Sequence, residues 1–353
     1  MSNVEENVEI EEFYVFEEES KNAFLEFPKN LYSDKEYHQD VETEKAIIEG
    51  RHSLNHDFEV HFFLAFNKER EPLARALLTF YHNDSNAYLS FFECINNVSV
   101  GTMFLKHLKK YSSNKLCTRL VGPYDCSWWI SKGLKIEDFG KPIYMEPYNL
   151  PYYPMIFQSA GFKPIKKYST YTYNKTIKDP KYLGKTIPMQ NFLSQGYSIV
   201  NFDEKKFDTQ IQEALRLLLN VPNPDPFYKR INEREFMELN KNLKETLSYK
   251  YSRMFYFKNQ LVGFYIAMPD YSNYLTQEYI VKTNMVKSLQ SELTIPYFAA
   301  NPNIPGFEAS MKDYIRNDIG TKVRFDIFGL SEDNLYYYKD TIKKKINYIL
   351  YAL

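Results

Sequence analysis

The sequence has few of the residues that stabilise disulfide-rich or zinc-binding folds. Its three cysteines, Cys94, Cys117 and Cys126, are an odd number and show neither CxxC nor Cys/His ligand spacing. This pattern argues against a disulfide framework and against a structural zinc site. We therefore expect reduced thiols and no metal site.

The sequence also lacks the hydrophobic segments of membrane and exported proteins. Nowhere do about 18 apolar residues follow one another, which a membrane-spanning helix would need. The N-terminal residues 1–19 are strongly acidic and lack the basic and apolar regions of a signal peptide. We expect a cytoplasmic protein that does not bind a membrane.

Neither sign of charge is in excess, and glycine is scarce. The chain has 44 basic and 45 acidic side chains, so no overall field attracts a polyanion such as DNA. Aromatic residues make up 17%, with 31 Tyr and 27 Phe against 12 Gly. Because tyrosine fills apolar space yet needs a partner for its hydroxyl, we expect tyrosine-lined crevices.

The length of 353 residues favours two domains. In the first half, a meander of three apolar strands precedes a helix and a short buried strand, and a helix between strands indicates a crossover connection. These predicted elements cover residues 60–66, 73–81, 87–92, 98–111 and 116–121.

The second half repeats this order of elements after a linker at residues 174–185. Its predicted strands are 197–200, 254–257, 260–268, 294–299, 322–328 and 346–353, and its predicted helices are 209–219, 233–243, 308–317 and 334–344. We therefore predict an α/β (α+β) chain of two similar domains, residues 1–178 and 179–353. Each domain should have a mixed, mostly antiparallel sheet flanked by helices.

One set of local motifs resembles a known family. Phe91-Phe92-Glu93-Cys94 precedes a helix, Gly122-Pro123 follows it, and the Pro147–Tyr153 run and Gly161-Phe162 come later. This resembles bacterial GNAT-like proteins (the acyl-CoA N-acyltransferase superfamily) with an FFE strand, a GP turn and an MPYNPPYY…GF signature. The similarity covers residues 10–175, and Leu150 replaces the first proline of the tyrosine motif.

The resemblance implies a tandem GNAT fold and a binding turn for the donor's phosphates. In GNAT enzymes this turn is basic and contains several spaced glycines. Here residues 95–101 contain one glycine and no Arg or Lys, and residues 301–307 contain a single glycine, Gly306. The donor is therefore either an acyl-CoA or an acyl group carried by a carrier protein or an aminoacyl-tRNA. Its expected contacts in the second half are Asn303, Gly306, Phe307 and Asn334.

Two residues are candidates for proton transfer. Glu93 ends a strand among phenylalanines, which would raise its pKa and suit a general base; alternatively its carboxylate caps the next helix. In the second half, the resemblance implies that a tyrosine just after Asp333-Asn334 protonates the leaving group, and we assign this role to Tyr337.

The Gly- and Pro-rich segment 122–153 is the candidate substrate-binding region. Its motif contributes Tyr148, Asn149, Tyr152 and Tyr153 as a polar aromatic wall, or else as a packing loop. We place two further residues, Ser127 and Trp128, beside the same cleft. Ser127 or Cys126 as a nucleophile is the alternative, but no G-x-S-x-G motif surrounds them, and Trp128 also fits a core or lid position.

The leading hypothesis is an enzyme that transfers an acyl or aminoacyl group to an amine by direct attack. The acceptor would be a small-molecule amine or an amino-acid-like compound. The rival hypothesis is a catalytically inactive protein that kept the fold and binds a ligand or a protein partner in its tyrosine-lined cleft.

Overall fold

The computed structural model describes residues 8–33, 40–140, 143–173, 187–271, 292–319, 322–327 and 342–353. By packing, the chain forms two compact units. Unit 1 is Met1–Tyr168 with Asn347–Leu353, and unit 2 is Ser169–Ile346. The predicted boundary between residues 178 and 179 lies outside the described residues and stays a prediction. The C-terminal residues 347–353, which the sequence assigned to the second domain, pack in unit 1.

Unit 1 contains a sheet and the helices that cover it. Its elements are β1 (Glu9–Phe13), α1 (Glu18–Glu26), α2 (Val41–Ile48), β2 (Phe58–Phe66), β3 (Pro72–Tyr81), β4 (Asn86–Cys94), α3 (Val98–Asn114), β5 (Arg119–Gly122), β6 (Leu134–Lys135) and α4 (Tyr153–Ala160). The next strand, β7 (Lys163–Tyr173), is divided between the two units.

Unit 2 has the same kind of architecture. Its elements are α5 (Met189–Ser194), β8 (Tyr197–Asn201), α6 (Phe207–Asn220), α7 (Glu233–Leu239), α8 (Leu243–Thr246), β9 (Arg253–Phe257), β10 (Gln260–Pro269), β11 (Glu292–Ala300), α9 (Phe307–Asp318) and β12 (Lys322–Ile327). The last strand, β13 (Ile342–Ala352), ends in unit 1.

The sheet of unit 1 confirms the predicted meander. Strands β1, β2, β3 and β4 are antiparallel neighbours in this order, and β5 lies parallel to β4. The end of β13 is antiparallel to β5, with Tyr351 opposite Gly122. Helix α3 connects the parallel strands, and its Val100, Phe104 and Leu108 side chains are buried in the core.

The sheet of unit 2 follows the same plan. Strands β8, β9, β10 and β11 are antiparallel, β12 is parallel to β11, and the second part of β7 is antiparallel to β12. The predicted hairpin is confirmed: Lys258 and Asn259 both have positive φ, 47° and 62°, as a type I′ turn requires. The core includes Phe255, Tyr265 and Phe307.

Two helix predictions need correction or qualification, and one further helix was not predicted. The predicted helix 334–344 lies mostly outside the described residues, but residues 342–344 belong to β13, so this part is wrong. The predicted helix 233–243 is two helices, because the first ends at Leu239 and Asn240 has a non-helical φ of −120°. Helix α5 was missed. Among the described residues, no helix is both long enough and apolar enough to cross a membrane.

Candidate functional site

The parallel strands β4 and β5 separate near the middle of β4. Their paired residues run from Asn86 and Arg119 to Tyr88 and Val121, whereas β4 continues to Cys94. A β-bulge follows, at which Phe91 has the left-handed φ of 50°. Such a backbone is uncommon for a residue other than glycine and is found at functional sites, so this end of β4 is the candidate site.

Glu93 lies just beyond the bulge and is partly buried. Its Oε2 atom accepts two hydrogen bonds, from the Tyr32 hydroxyl at 2.8 Å and from the Tyr153 hydroxyl at 2.5 Å. Among the residues that the structure describes, its Oε1 atom has no hydrogen-bond partner. One carboxylate oxygen is therefore held by tyrosines, and the other can meet a substrate.

The surroundings of Glu93 favour its protonated form. Burial raises the pKa of the Glu93 carboxyl from its ordinary 4.5 to about 7, although Arg75 and the two hydroxyls oppose this change. Arg75 stands opposite Glu93 on β3, but its guanidinium group is paired with the Glu44 carboxylate at 2.9 Å. The carboxyl of Glu93 therefore exchanges its proton near neutral pH.

Two tyrosines of the sequence motif reach the end of β4. The Tyr153 hydroxyl accepts a hydrogen bond from the Cys94 N–H at 2.9 Å, and the Tyr152 hydroxyl donates to the Cys94 carbonyl at 2.7 Å. Tyr153 is the first residue of α4 and is only 1% exposed, whereas Tyr152 keeps part of its surface in solvent. The motif thus supplies hydrogen-bond partners for the main chain beyond the bulge.

Residues that follow β5 bond the main chain of β4 at Leu89 and Phe91, before the strand reaches Cys94. The Tyr124 N–H donates to the Leu89 carbonyl at 2.8 Å, and the Phe91 N–H donates to the Asp125 carboxylate at 2.7 Å. Burial raises the pKa of Asp125 to about 6. From Leu89 to Cys94, the β4 main-chain groups named here are thus bonded to the chain itself.

No family model matches the sequence, and no curated protein matches it. Solved structures do match it. A tandem GNAT protein from the clavulanic acid biosynthesis pathway, solved without AcCoA, has a TM-score of 0.51 at 8% identity, and the match covers 98% of each chain. A GCN5-related N-acetyltransferase from Anabaena variabilis ATCC 29413 has a TM-score of 0.51 at 12% identity over 98% of this chain and 72% of that one.

A third similar structure is a GCN5-related glucosamine N-acetyltransferase region in a fungal multi-domain GH3 beta-N-acetylglucosaminidase. It has a TM-score of 0.52 at 10% identity, and the match covers 98% of this chain and 38% of that one. Identities this low establish the fold alone. The chain has a tandem GNAT-like fold.

The two units differ at the start of the crossover helix, which is α3 after β4 in unit 1 and α9 after β11 in unit 2. In unit 1, Asn97 caps α3, and its side-chain oxygen accepts from the N–H groups of Ser99 and Val100 at 3.0 and 3.2 Å. Glu93 therefore does not cap this helix, which was the alternative reading of this carboxylate. Two of the first-turn donors that would bind a phosphate are therefore already used in unit 1.

In unit 2 the expected donor contacts lie before and at the start of α9. Gly306 is the N-cap, with a φ of 73° and no side-chain cap, and Asn303 is exposed. The Phe307 side chain is fully buried, 5.2 Å from the Phe192 ring, so only its main chain can face a ligand. Asn334 and Tyr337 lie outside the described residues, and their roles stay predictions.

Ser127 and Trp128 lie in a buried part of unit 1. Ser127 is 0% exposed, and its hydroxyl accepts a hydrogen bond from the Trp129 N–H. Trp128 packs under the Lys132 ammonium, which is 3.6 Å from its ring centroid. Burial raises the pKa of the Cys126 thiol to about 12, which does not suit a thiolate nucleophile.

Asn149 and Tyr148 have different positions. The Asn149 amide is buried and bonds both the N–H and the carbonyl of Lys135, at 2.8 and 3.2 Å, as a neighbouring strand would. Tyr148 is partly exposed, and its ring centroid is 6.1 Å from that of Tyr32. Tyr148 therefore lies beside Tyr32, which bonds Glu93, whereas Asn149 supports β6.

Sequence reasoning missed Tyr32 and Arg75. Tyr32 lies 61 residues before Glu93 and outside any motif, so the sequence carried no signal for it. Arg75 did carry one, because a lone arginine inside an apolar strand must find a buried partner. The structure supplies that partner as Glu44, together with the Phe24 carbonyl at 2.8 Å.

Proposed function

We propose that the protein is an N-acyltransferase that transfers an acyl or aminoacyl group from a thioester or ester donor to an amine by direct attack. The observation that carries this proposal is Glu93, a carboxyl with a pKa of about 7 whose Oε1 has no hydrogen-bond partner among the described residues. A general base is most effective when its pKa is near the working pH, because it is then both available and basic enough.

In the proposed reaction, the amine nitrogen attacks the carbonyl carbon of the donor and the new N–C bond forms. The C–S or C–O bond to the leaving group breaks. Oε1 of Glu93 takes the proton that the nitrogen loses, and the leaving thiolate or alkoxide takes up a proton from water. The role predicted for Tyr337 in the second domain stays a prediction. Holding the two reactants in line supplies the remaining acceleration.

The hydrogen bonds along the edge of β4 help to decide which class of acyl donor fits the site. A CoA or carrier-protein donor brings an extended pantetheine arm with amide groups, which needs free main-chain partners on a strand edge. In unit 1 four main-chain groups of β4 are already bonded to the chain itself: the Leu89 carbonyl, the Phe91 N–H, and the N–H and carbonyl of Cys94. For the Glu93 site we therefore favour an aminoacyl ester, which has no such arm.

A donor screen tests the proposal. Acetyl-CoA, longer acyl-CoAs, acyl-carrier protein and aminoacyl-tRNA are each incubated with a mixture of small amines and amino acids, and acylated products are detected by mass spectrometry. We expect product with at least one donor and a loss of at least 100-fold in Glu93→Gln, the usual size of a lost general base.

The matched control is Glu213→Gln. Glu213 is also a partly buried glutamate that accepts a tyrosine hydroxyl, from Tyr256 at 2.6 Å, but it lies on α6 of unit 2. This variant should keep full activity. Product formation that is equal in the wild type and in Glu93→Gln would remove Glu93 from the mechanism, and no product with any donor would favour the non-catalytic binding protein.

A further inference from the structure

The Tyr153 hydroxyl has one proton and lies near more than one acceptor. Its oxygen is 2.5 Å from Oε2 of Glu93 and 3.4 Å from the Cys94 carbonyl oxygen, and it accepts a hydrogen bond from the Cys94 N–H. Hydrogen bonds between oxygens are strong near 2.7 Å and weak beyond about 3.2 Å. The proton therefore goes to Glu93, and the Cys94 N–H fixes the direction of that bond.

The Tyr153 ring cannot swing away from this position without breaking the core. It is 1% exposed and packs against the rings of Phe92 and Tyr152, at centroid distances of 5.3 and 5.1 Å. Its backbone N–H donates to the Leu150 carbonyl at 3.1 Å, at the start of α4. The hydroxyl is thus held in place by both main chain and side chain.

We propose that Tyr153 is a positioning residue for the acyl transfer: together with Tyr32 it occupies Oε2 of Glu93, so that only Oε1 faces the acceptor amine. This inference rests on the proposed function. It gives Tyr153 a role behind the carboxylate in place of direct substrate contact.

The titratable groups around Glu93 decide what a loss of the hydroxyl does. They are Tyr32 after α1, Glu44 of α2, Arg75 of β3, Cys94 of β4, Tyr152 just before α4 and Tyr153 of α4. A hydroxyl that donates to the carboxylate stabilises its charged form. Removing the Tyr153 hydroxyl therefore raises the pKa of Glu93 further.

The test is the titration of Glu93 itself, which needs no substrate. Carbon-13 NMR of protein labelled at the glutamate carboxyl carbons follows the ionisation, and the Glu93 signal is identified by its absence in Glu93→Gln. In Tyr153→Phe we expect the midpoint to rise by about one pH unit, the usual effect of one lost hydrogen bond to a charged group.

Tyr152→Phe is the matched control. It removes a neighbouring hydroxyl that donates to the Cys94 carbonyl, so a general loosening of this region would act in both variants. We expect the Glu93 midpoint to stay within a few tenths of a unit of the wild type. An equal shift in both variants would overturn the proposal, and so would no shift in Tyr153→Phe.

A second pair of proteins guards against a failure of Tyr153→Phe to fold. Replacing Tyr153 by 3-fluorotyrosine keeps the hydroxyl and makes it a stronger donor, so the Glu93 midpoint should fall, whereas the same replacement at Tyr152 should not move it. An unchanged midpoint at both positions overturns the proposal. The donor screen remains a separate test, since active Glu93→Gln would end the base assignment whatever the titration gives.

Discussion

At Glu93 the cost of burying a carboxylate exceeds the favourable effect of the nearby cation. The reason lies in the pairing of Arg75, whose guanidinium group already bonds the Glu44 carboxylate and the Phe24 carbonyl. Glu93 is left with two neutral hydroxyls, and these stabilise its charge only in part. A single strand position thus acquires a proton affinity suited to neutral pH.

This raised pKa predicts how stability depends on pH. The folded state holds the Glu93 proton more tightly than the unfolded state does, so this group stabilises the fold below about pH 4.5 and loses that contribution as the pH rises through about 7. Glutamine does not titrate. Relative to the wild type, Glu93→Gln should therefore gain about 3 kcal/mol of unfolding free energy between these two pH values.

Urea unfolding of both proteins at about pH 5 and about pH 8 measures this difference. Glu213→Gln serves again as the control for replacing a partly buried glutamate that accepts a tyrosine hydroxyl. A Glu93→Gln protein whose relative stability falls as the pH rises would show that the ionised carboxylate is stabilised in the fold.

At the scale of elements, the packing of α3 against α4 depends on one glycine. A Cβ atom at Gly101 would lie 2.5 Å from Cγ2 and 2.9 Å from Cδ1 of Ile156, closer than packed atoms approach. Gly101→Ala should destabilise the protein by about 1–3 kcal/mol, even though alanine favours a helix by about 1 kcal/mol.

A double-mutant cycle checks the cause. Ile156→Ala removes both clashing atoms, so Gly101→Ala should cost much less in the Ile156→Ala background than in the wild type. Equal costs in the two backgrounds would mean that α3 and α4 do not touch at this glycine.

The elements were predicted well where the sequence had a strong period. The β2–β4 meander, α3 and the Lys258-Asn259 hairpin follow from alternating or helical apolar spacing and from turn residues. Residues 342–344 were assigned to a helix although they open β13, because a run of lysines gives no periodic signal. Short elements such as β6 have too few residues to show a period.

The candidate site was predictable only in part. Glu93 and the tyrosine motif could be recognised as local sequence patterns. The hydrogen-bond partners of the Glu93 carboxylate, Tyr32 and Tyr153, lie 61 and 60 residues away along the chain. The sequence also did not show which way the side chains of the motif point. Asn149 and Tyr153 belong to one short motif, but Asn149 bonds the main chain of Lys135 and Tyr153 bonds Glu93.

At the scale of the whole molecule, unit 1 is completed by the end of the chain. The Leu353 N–H donates to the Leu120 carbonyl, the Leu120 N–H donates to the Leu353 carbonyl, and Tyr351 stands opposite Gly122. Leu350 and Tyr351 are buried in this unit. The first compact unit therefore needs residues that lie far away in sequence.

A truncation tests this dependence. Removing residues 347–353 leaves β5 with an unpaired edge, so the amide protons of β4 and β5 should exchange at least tenfold faster, whereas those of β10 and β11 in unit 2 should keep their protection. Hydrogen exchange followed by mass spectrometry resolves the two sets of peptides. Unchanged protection in β5 would show that unit 1 does not depend on the last strand.

The most direct measurement of the central claim is the rate of acyl transfer, with the donor and amine that the screen identifies, between about pH 5 and about pH 9. The wild-type rate should rise with a midpoint near pH 7, where Glu93 loses its proton, and Glu93→Gln should lack this rise. A wild-type rate with no midpoint near pH 7, or one that Glu93→Gln reproduces, would contradict the assignment of Glu93 as the base.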